Sequence, residues 1–211
     1  MSFIKINQLN KTIKGKEILK DITISFEKGK IHGIFGRNGS GKTMLFRTIC
    51  SLIKPSSGTI EINGKVLNKD IYFPESIGVI IESPGFWPHF TGFENLKTLA
   101  SIKNIISDEE IRKSIVRVGL DPNNNIAFKK YSLGMKQRLA IAQAIMEKPD
   151  LLILDEPTNA IDEEGISIIR DIILEEKARG ATILIASHNK EDIEILADCK
   201  YRMEDGRIKT F

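Results

Sequence analysis

The eight residues GRNGSGKT at positions 36–43 decide the fold of this chain. They match the pattern GxxxxGK[ST] and lie between a strand-like run, IHGIFG (31–36), and a segment with helical spacing, MLFRTICSLI (44–53). Glycines at this spacing let the backbone wrap a phosphate with its N–H groups, and the N-terminus of the following helix adds a favourable dipole. The stretch is therefore predicted to be a phosphate-binding loop made of Gly36, Arg37, Asn38, Gly39, Ser40, Gly41, Lys42 and Thr43.

Two residues of this loop and two residues downstream predict the chemistry. Lys42 can reach the β- and γ-phosphates of a nucleotide, and the Thr43 hydroxyl can ligate Mg²⁺. The stretch LLILDEPTN (151–159) places Asp155 and Glu156 at the end of an apolar strand. Ligands usually bind at the carboxyl edge of a parallel sheet. We therefore expect Asp155 to hold Mg²⁺ and Glu156 to polarise an attacking water.

Strand and helix patterns alternate on both sides of the loop. Patterns typical of strands are FIKINQL (3–9), ITISF (22–26), GTIEIN (58–63), IGVII (77–81), LLILD (151–155) and TILIAS (182–187). Residues from about 82 to 147 have helical patterns, one of which starts with a capping box from Ser107 to Glu110. This order predicts an α/β domain with a parallel sheet and an all-helical insertion.

Composition narrows the class of protein. The 211 residues are 41% apolar and 28% charged, and the net charge of +3 is too small to indicate a nucleic-acid partner. The first residues have no signal-peptide pattern, and apolar runs such as 151–154 are far too short to span a bilayer. Cys50 and Cys199 predict neither a disulfide framework nor a zinc site. The expectation is a cytosolic protein whose membrane role, if any, comes from a partner.

The stretch YSLGMKQRLAIAQAI (131–145) completes a recognisable set of motifs. With the phosphate loop, DEPTN and Ser187-His188, it resembles the nucleotide-binding subunit of ATP-binding cassette (ABC) transporters, whose LSGGQ signature corresponds here to YSLGM. The resemblance covers nearly the whole chain. It implies a P-loop NTPase (RecA-like) core with an N-terminal antiparallel β subdomain over 1–81 and 148–211, and an inserted α-helical subdomain over 82–147.

The resemblance also implies site residues. Two subunits, identical or homologous, are expected to dimerise head to tail, with each ATP between the loop of one chain and Ser132 and Gly134 of the other. Lys42, Glu156 and His188 are then catalytic, with His188 contacting the γ-phosphate. Ile13 falls where the family stacks an aromatic residue on adenine, and the aliphatic contact is weaker by roughly 1 kcal/mol.

Glu82 stands where the family normally has a glutamine that contacts Mg²⁺ or water. A carboxylate can still ligate Mg²⁺, so Glu82 joins Thr43 and Asp155 as an expected metal ligand. Glutamate followed by SPGFWPHFTGFENL is similar to ATPase subunits of lantibiotic self-immunity and bacitracin-resistance exporters. Other small export ATPases remain an alternative to that branch.

The segment IESPGFWPHFTGFENL (81–96) contains Pro84 and Pro88, which exclude a regular helix. By resemblance, a membrane permease docks near Glu82–Phe93, and Phe86, Trp87 and Phe90 form the docking surface; alternatively, these aromatics pack the insertion against the core. The predicted function is an ATPase motor for export, on the inner face of the cell membrane. A soluble cassette ATPase in assembly, or a nucleotide-binding regulator, remains the alternative.

Overall fold

The computed structural model describes residues 1–82 and 85–210. The strands are β1 Ser2–Ile13, β2 Lys16–Glu27, β3 Ile31–Phe35, β4 Ser57–Ile62, β5 Lys65–Val66, β6 Ile77–Ile80, β7 Leu151–Asp155, β8 Thr182–Ser187, β9 Cys199–Glu204 and β10 Arg207–Thr210. The helices are α1 Lys42–Ile49, α2 Gly92–Ala100, α3 Asp108–Arg117, α4 Leu133–Ile145, α5 Glu163–Ala178 and α6 Lys190–Leu196, with a 3-10 turn at Phe128–Lys130.

The central sheet has six strands in the order β10-β9-β3-β8-β7-β6. Its strands are parallel except for β10, which pairs with β9 in an antiparallel hairpin. Every residue of β7 and β8 is buried, as expected for parallel strands covered on both faces. Because β3 and β7 run in the same direction, the loop after Phe35 and the carboxylate of Asp155 meet at one edge of the sheet.

A second, antiparallel sheet has the strand order β2-β1-β4-β5. Its buried face and one face of the central sheet share a hydrophobic core that includes Phe26 and Leu9 from the antiparallel sheet, Ile153 and Leu184 from the central sheet, and Phe46 from α1. Burial of these large apolar side chains supplies most of the free energy that joins the two sheets. Helix α1, and with it the phosphate loop, is held between them.

Between β6 and β7 the described residues form helices and no strand. Helices α2 and α3 both begin in capping boxes, and the box predicted at Ser107 and Glu110 is confirmed. Apolar residues of these helices, such as Leu96 and Ile115, belong to the same core cluster as Leu152 on the other face of the central sheet. The helical region therefore packs against the central sheet and shares a hydrophobic core with it.

Helix α4 lies directly on strand β6. A Cβ atom at Gly78 would lie 1.9 Å from the carbonyl oxygen of Ala144, so only glycine permits this approach. The contact fixes α4 against the sheet edge and thereby positions the first turn of α4 relative to the end of β7.

No helix within residues 1–82 and 85–210 has the length and apolarity required to cross a lipid bilayer.

Candidate functional site

The segment between β3 and α1 forms a loop around Lys42. The Lys42 Nζ donates hydrogen bonds to the carbonyl oxygens of Gly36 at 2.6 Å and Arg37 at 3.3 Å, and the side chain is buried. Gly41 precedes α1 with a φ of 111°, a conformation open to glycine without steric cost. The loop therefore holds the positively charged Lys42 ammonium beside the N-terminus of α1, where a phosphate group is favoured.

Thr43 and Asp155 connect this loop to the end of β7. The Thr43 hydroxyl donates a hydrogen bond of 2.5 Å to Asp155 Oδ2. The other carboxylate oxygen of Asp155, Oδ1, is buried and has no hydrogen-bond partner within the described part of the chain. An unpaired buried carboxylate oxygen is costly unless a cation or water satisfies it. The pair therefore fits a hard divalent cation, which prefers oxygen ligands.

Electrostatics at Asp155 lead to the same conclusion. Burial raises the pKa of the Asp155 carboxyl above its ordinary value, and the neighbouring charges of Glu156 and Glu82 raise it further. The hydrogen bond from Thr43 and the positive charge of Lys42 act in the opposite direction. Negative charge is thus crowded at the end of β7, and a bound cation would relieve it.

Glu156 and His188 form a second pair at the same sheet edge. The His188 backbone N–H donates to Glu156 Oε1 at 2.9 Å, and His188 Nδ1 lies 2.8 Å from Glu156 Oε2. Because a carboxylate accepts, Nδ1 carries the proton in this contact. Glu156 has a φ of 53°, and its N–H donates to the carbonyl of Ala186 on β8. Two neighbouring strands thus hold the carboxylate that follows Asp155.

The first turn of α4 is attached to the same segment. Ser132 caps α4 by accepting a hydrogen bond from the Met135 N–H, while Leu133 is 67% exposed. Gln137 Nε2 donates to the carbonyls of Glu156 and Pro157, each at 3.2 Å. Gln137 therefore connects helix α4 directly to the residues that follow Asp155.

These elements surround a cavity of about 950 Å³. This is large enough for a nucleotide, since ligand pockets typically span roughly 300–1,000 Å³. The predicted site residues that line it are Asn38, Gly39, Gly41, Lys42, Thr43, Glu82, Asp155 and Glu156. The structure therefore brings the phosphate loop, the DEPTN carboxylates and Glu82 together in one place.

Other predicted site residues do not line the cavity wall. They are Ile13, Gly36, Arg37, Ser40, Ser132, Gly134 and His188. Ile13 lies 37% exposed at the end of β1, whereas Ile18 of β2 lines the cavity. An apolar contact for a base is therefore available from Ile18, and a role of Ile13 stays a prediction.

Further residues of the wall were not predicted as site residues, although Leu133 lies in the signature stretch 131–135 and Asn159 in the stretch 151–159. They are Ile18, Met44, Arg47, Phe128, Leu133, Lys136, Gln137, Asn159 and Ala160. A sequence signal existed for Arg47, because it lies four residues after Thr43 on the same helix and so on the same face. For Ile18 and Phe128 there was no local signal, because only the packing of distant elements brings them to the cavity.

Glu82 makes a close contact that its position in the sequence does not reveal. Its Oε2 atom lies 2.6 Å from Arg47 Nη2 on α1. The backbone of Glu82 has a φ of 62°, in the left-handed region that residues other than glycine rarely occupy. The expected metal ligand is therefore engaged by an arginine.

The aromatic residues that follow Glu82 divide between the core and the surface. Phe86 is half-buried and packs edge-on against Phe128, with ring centroids 5.1 Å apart. Trp87 and Phe90 stack on each other at 6.0 Å and are 43% and 39% exposed. Pro84 lies outside the described residues. Phe86 thus fits the alternative that these aromatics pack the insertion against the core. Trp87 and Phe90 fit the alternative that they form an accessible docking surface.

Asn95 of α2 holds this aromatic loop in place. Its side chain is fully buried; Oδ1 accepts from the Trp87 N–H at 2.7 Å, and Nδ2 donates to the Trp87 and Thr91 carbonyls at 3.2 and 2.9 Å. The carbonyl of Phe90 lies 3.4 Å from the same nitrogen and also accepts from the Phe128 N–H. A buried amide that satisfies both ends of a loop makes the conformation of that loop specific.

The chain is similar over its full length to ATP-binding proteins. Residues 19–159 match the family model described as ABC transporter. The ABC transporter ATP-binding protein YybJ of Bacillus subtilis (strain 168) is 55% identical over 207 residues, 98% of this chain and 95% of that protein. The bacitracin transport ATP-binding protein BcrA of Enterococcus faecalis is 41% identical, covering 97% of this chain and 67% of that protein. The lantibiotic transport ATP-binding protein SrtF of Streptococcus pyogenes is 35% identical, covering 97% and 88%.

Solved structures give the same result for the fold. A structure of an ATP-binding subunit of an ABC transporter superposes with a TM-score of 0.88 at 27% identity, covering 100% of this chain and 90% of that chain. A dimeric bacterial ABC transporter cassette also reaches 0.88 at 22% identity, covering 98% and 96%. With the phosphate loop and the paired carboxylates placed around one cavity, these matches show that the chain belongs to the ABC transporter family, as an ATP-binding subunit that hydrolyses ATP.

Proposed function

We propose that the chain powers export of a peptide antibiotic or similar substrate, with ATP bound in the cavity between the phosphate loop and the end of β7. The single observation that supports ATP binding at this place most strongly is the convergence of Lys42, Thr43, Asp155 and Glu156 on that cavity. Backbone N–H groups of the loop and the buried Lys42 ammonium would bind the phosphates. Ile18 would offer the base an apolar contact.

Hydrolysis is assigned to the pair at the end of β7 and β8. Glu156 would accept a proton from the attacking water, because its carboxylate is held beside the phosphate loop, with Oε1 3.8 Å from Lys42 Nζ. The hydrogen bond between His188 Nδ1 and Glu156 would orient both side chains. His188 is half-exposed, so it could contact a γ-phosphate once a nucleotide is bound.

Mg²⁺ is proposed as the cofactor, held by Thr43 and Asp155 with Glu82 nearby. When bound, Mg²⁺ would neutralise charge that develops on the β- and γ-phosphate oxygens. Within residues 1–82 and 85–210, no three His, Cys, Asp or Glu side chains form a complete metal cage. Such a partial set is typical of Mg²⁺, which usually takes one or two carboxylates and completes its shell with phosphates and water.

We further propose that two such subunits, identical or homologous, enclose ATP head to tail. A solved cassette of the same fold is dimeric, which supports a pairing of two subunits. Ser132 caps its own helix and Leu133 is exposed at the start of α4, so this end of the helix is accessible to a second chain. The α4 N-terminus, with the Gly134 N–H, would then face the γ-phosphate bound by the partner.

The transport step is assigned to a separate membrane permease that docks near Glu82–Phe93, with the ATPase on the cytoplasmic face. Relatives named for bacitracin transport and lantibiotic transport support a peptide antibiotic as the cargo. The exposed Trp87 and Phe90 pair supports docking at this segment, because accessible stacked aromatics are typical anchors of protein interfaces.

The substitution Glu156→Gln tests the assignment of the catalytic carboxylate. It removes the proton acceptor and keeps the size of the side chain, so ATP hydrolysis is expected to fall by about two to four orders of magnitude. ATP binding should persist, and ATP-dependent dimers should accumulate in size-exclusion chromatography because the nucleotide is no longer cleaved.

The exposed Glu109 on α3 provides a matched control for this variant. Glu109→Gln should hydrolyse ATP at the wild-type rate. If Glu156→Gln retained more than about a tenth of wild-type turnover with the same Mg²⁺ requirement, Glu156 would not be the base.

A further inference from the structure

Arg47 and Glu82 form an ion pair in the wall of the nucleotide cavity. The Arg47 Nη2 atom lies 2.6 Å from Glu82 Oε2, a distance typical of a charge-assisted hydrogen bond. The Arg47 side chain is 32% exposed and the Glu82 side chain 59% exposed. Both residues also line the cavity that contains Thr43 and Asp155. The pair therefore lies in the same cavity as the proposed cation ligands Thr43 and Asp155. Neither Arg47 nor Glu82 takes part in the hydrogen bond between those two residues.

The helix geometry places Arg47 one turn beyond Thr43. Residues i and i+4 of an α-helix lie on the same face, about 5–6 Å apart at their Cβ atoms. Thr43 donates its hydroxyl to Asp155, so the same face of α1 carries a metal-ligand contact at its start and an arginine one turn later. Glu82, two residues after β6, contacts the arginine, and it can reach the Thr43 end of this face only through a change in its side-chain direction.

Two cationic side chains of the cavity wall, Lys42 and Arg47, differ in whether they pair with Glu82. Lys42 Nζ is bound to the loop carbonyls of Gly36 and Arg37 and lies 3.8 Å from Glu156. Arg47 is the cation that Glu82 contacts. A glutamine at this position could still accept a hydrogen bond from the guanidinium, but with a neutral oxygen instead of a charged one, so the carboxylate of Glu82 makes the stronger pair.

We propose that Arg47 is a positioning residue for Glu82 and competes with Mg²⁺ for its carboxylate. In the nucleotide-free chain Arg47 holds Glu82 beside α1. Binding of Mg²⁺ with the nucleotide draws the carboxylate away from the guanidinium, because the divalent cation offers it the greater charge. This inference rests on the proposed Mg²⁺-nucleotide site and adds a residue that regulates it.

The test measures Mg²⁺ dependence of binding rather than turnover. Binding of the non-hydrolysable nucleotide AMP-PNP to the full chain is followed by calorimetry over a series of Mg²⁺ concentrations. Arg47→Met frees the carboxylate, so the half-saturating Mg²⁺ concentration should fall about three- to fivefold, the range that a partly exposed ion pair supports. In the Glu82→Gln background the same substitution should produce no shift.

Two further variants complete the design. Arg47→Lys keeps a cation that can pair with Glu82 and should restore behaviour close to wild type, which loss of packing alone would not do. Lys65→Met breaks a comparable exposed ion pair, Lys65 to Glu75 at 2.6 Å, away from the cavity and should leave the Mg²⁺ dependence unchanged. If Arg47→Met unfolds, Arg47→Gln repeats the measurement with a polar side chain.

The outcomes separate this inference from the proposed function. An equal shift in the Glu82→Gln background would show that Arg47 acts directly on the nucleotide, and an unchanged or raised half-saturating concentration would show that no competition exists. Either result overturns the inference while Mg²⁺-dependent binding remains. If wild-type AMP-PNP binding did not depend on Mg²⁺ at all, the proposed Mg²⁺ site itself would be wrong, and the inference with it.

Discussion

His32 shows how a single buried side chain can make stability depend on pH. It is fully buried on β3, and its ring nitrogens contact the Tyr201 hydroxyl at 3.2 Å and the Glu27 carbonyl at 2.9 Å. Burial lowers the pKa of His32 below its ordinary value of 6.5, because the charged imidazolium is poorly solvated there. These contacts are those of a core residue.

The lowered pKa predicts acid sensitivity with a definite sign. The unfolded chain binds a proton at His32 near pH 6.5, whereas the folded chain does so only at lower pH. Stability from this group is therefore full above about pH 6.5 and is lost as the pH falls through the folded-state pKa. Melting temperatures at pH 7 and pH 5 should differ less in His32→Gln than in wild type.

The exposed His89 supplies the control for this measurement. His89→Gln should show the wild-type difference in melting temperature between the two pH values. An identical pH dependence in wild type and His32→Gln would contradict the role assigned to burial of His32.

At the residue scale, the structure brings part of the predicted site together around one cavity, and the roles of these residues stay predictions. Lys42, Thr43, Asp155 and Glu156 meet because their motifs follow parallel strands whose carboxyl ends share one edge. Arg47 was not predicted as a site residue, although its place one turn after Thr43 was a signal; its pairing with Glu82, 35 positions away, follows from no local pattern.

Elements were predicted more accurately in type than in extent. The helix expected to run to Ile53 ends at Ile49, and Ser51 has a left-handed φ of 58°. Leu52 and Ile53 both donate to the carbonyl of Arg47, so the chain turns there instead of continuing. The cause is a tight turn that hydrophobic spacing alone did not reveal. Strand β1 is longer than expected because both of its neighbours pair with it.

The Asn95 side chain joins helix α2 to the loop before it through hydrogen bonds. Asn95→Ala would leave backbone groups of the loop without partners, which is expected to lower stability by about 1–3 kcal/mol. Trp87 is the only tryptophan of the chain and lies in this loop, so its fluorescence reports on the change directly. The emission of Asn95→Ala should shift to the red as Trp87 becomes more solvated.

The exposed Asn125 offers the comparison for this variant. Asn125→Ala should leave both the melting temperature and the tryptophan emission at their wild-type values. The role of Asn95 would be refuted by Asn95→Ala with the same emission maximum and melting temperature as wild type.

At the scale of the whole molecule, the two core clusters leave some large apolar side chains on the surface. Trp87 and Phe90 are exposed as a stacked pair beside the helical region, whereas Phe86 contributes to the core. The Trp87 side chain does not line the nucleotide cavity. Docking of a permease and hydrolysis of ATP are therefore expected to be separable by mutation.

Trp87→Ala is expected to abolish transport by the assembled complex while it retains ATP hydrolysis by the isolated chain within about twofold, because interface anchors carry most of the binding energy. Tyr72, another exposed aromatic residue, serves as the control. Tyr72→Ala should keep both activities. Loss of hydrolysis or folding in Trp87→Ala would instead assign Trp87 to the packing of the helical region.

The sequence by itself determined the phosphate loop and the carboxylates at the end of β7, and the resemblance of its motifs to a known family indicated the fold. The loop and the carboxylates could be found from sequence for a physical reason. These depend on local patterns, because glycine spacing, β-branched runs and a strand ending in acidic residues dictate backbone conformation within a few residues. Only the tertiary structure placed Ile18 rather than Ile13 in the cavity wall, separated Phe86 from Trp87 and Phe90, and paired Glu82 with Arg47. Such contacts join segments far apart in the chain, so they depend on how sheets and helices pack and not on any local pattern.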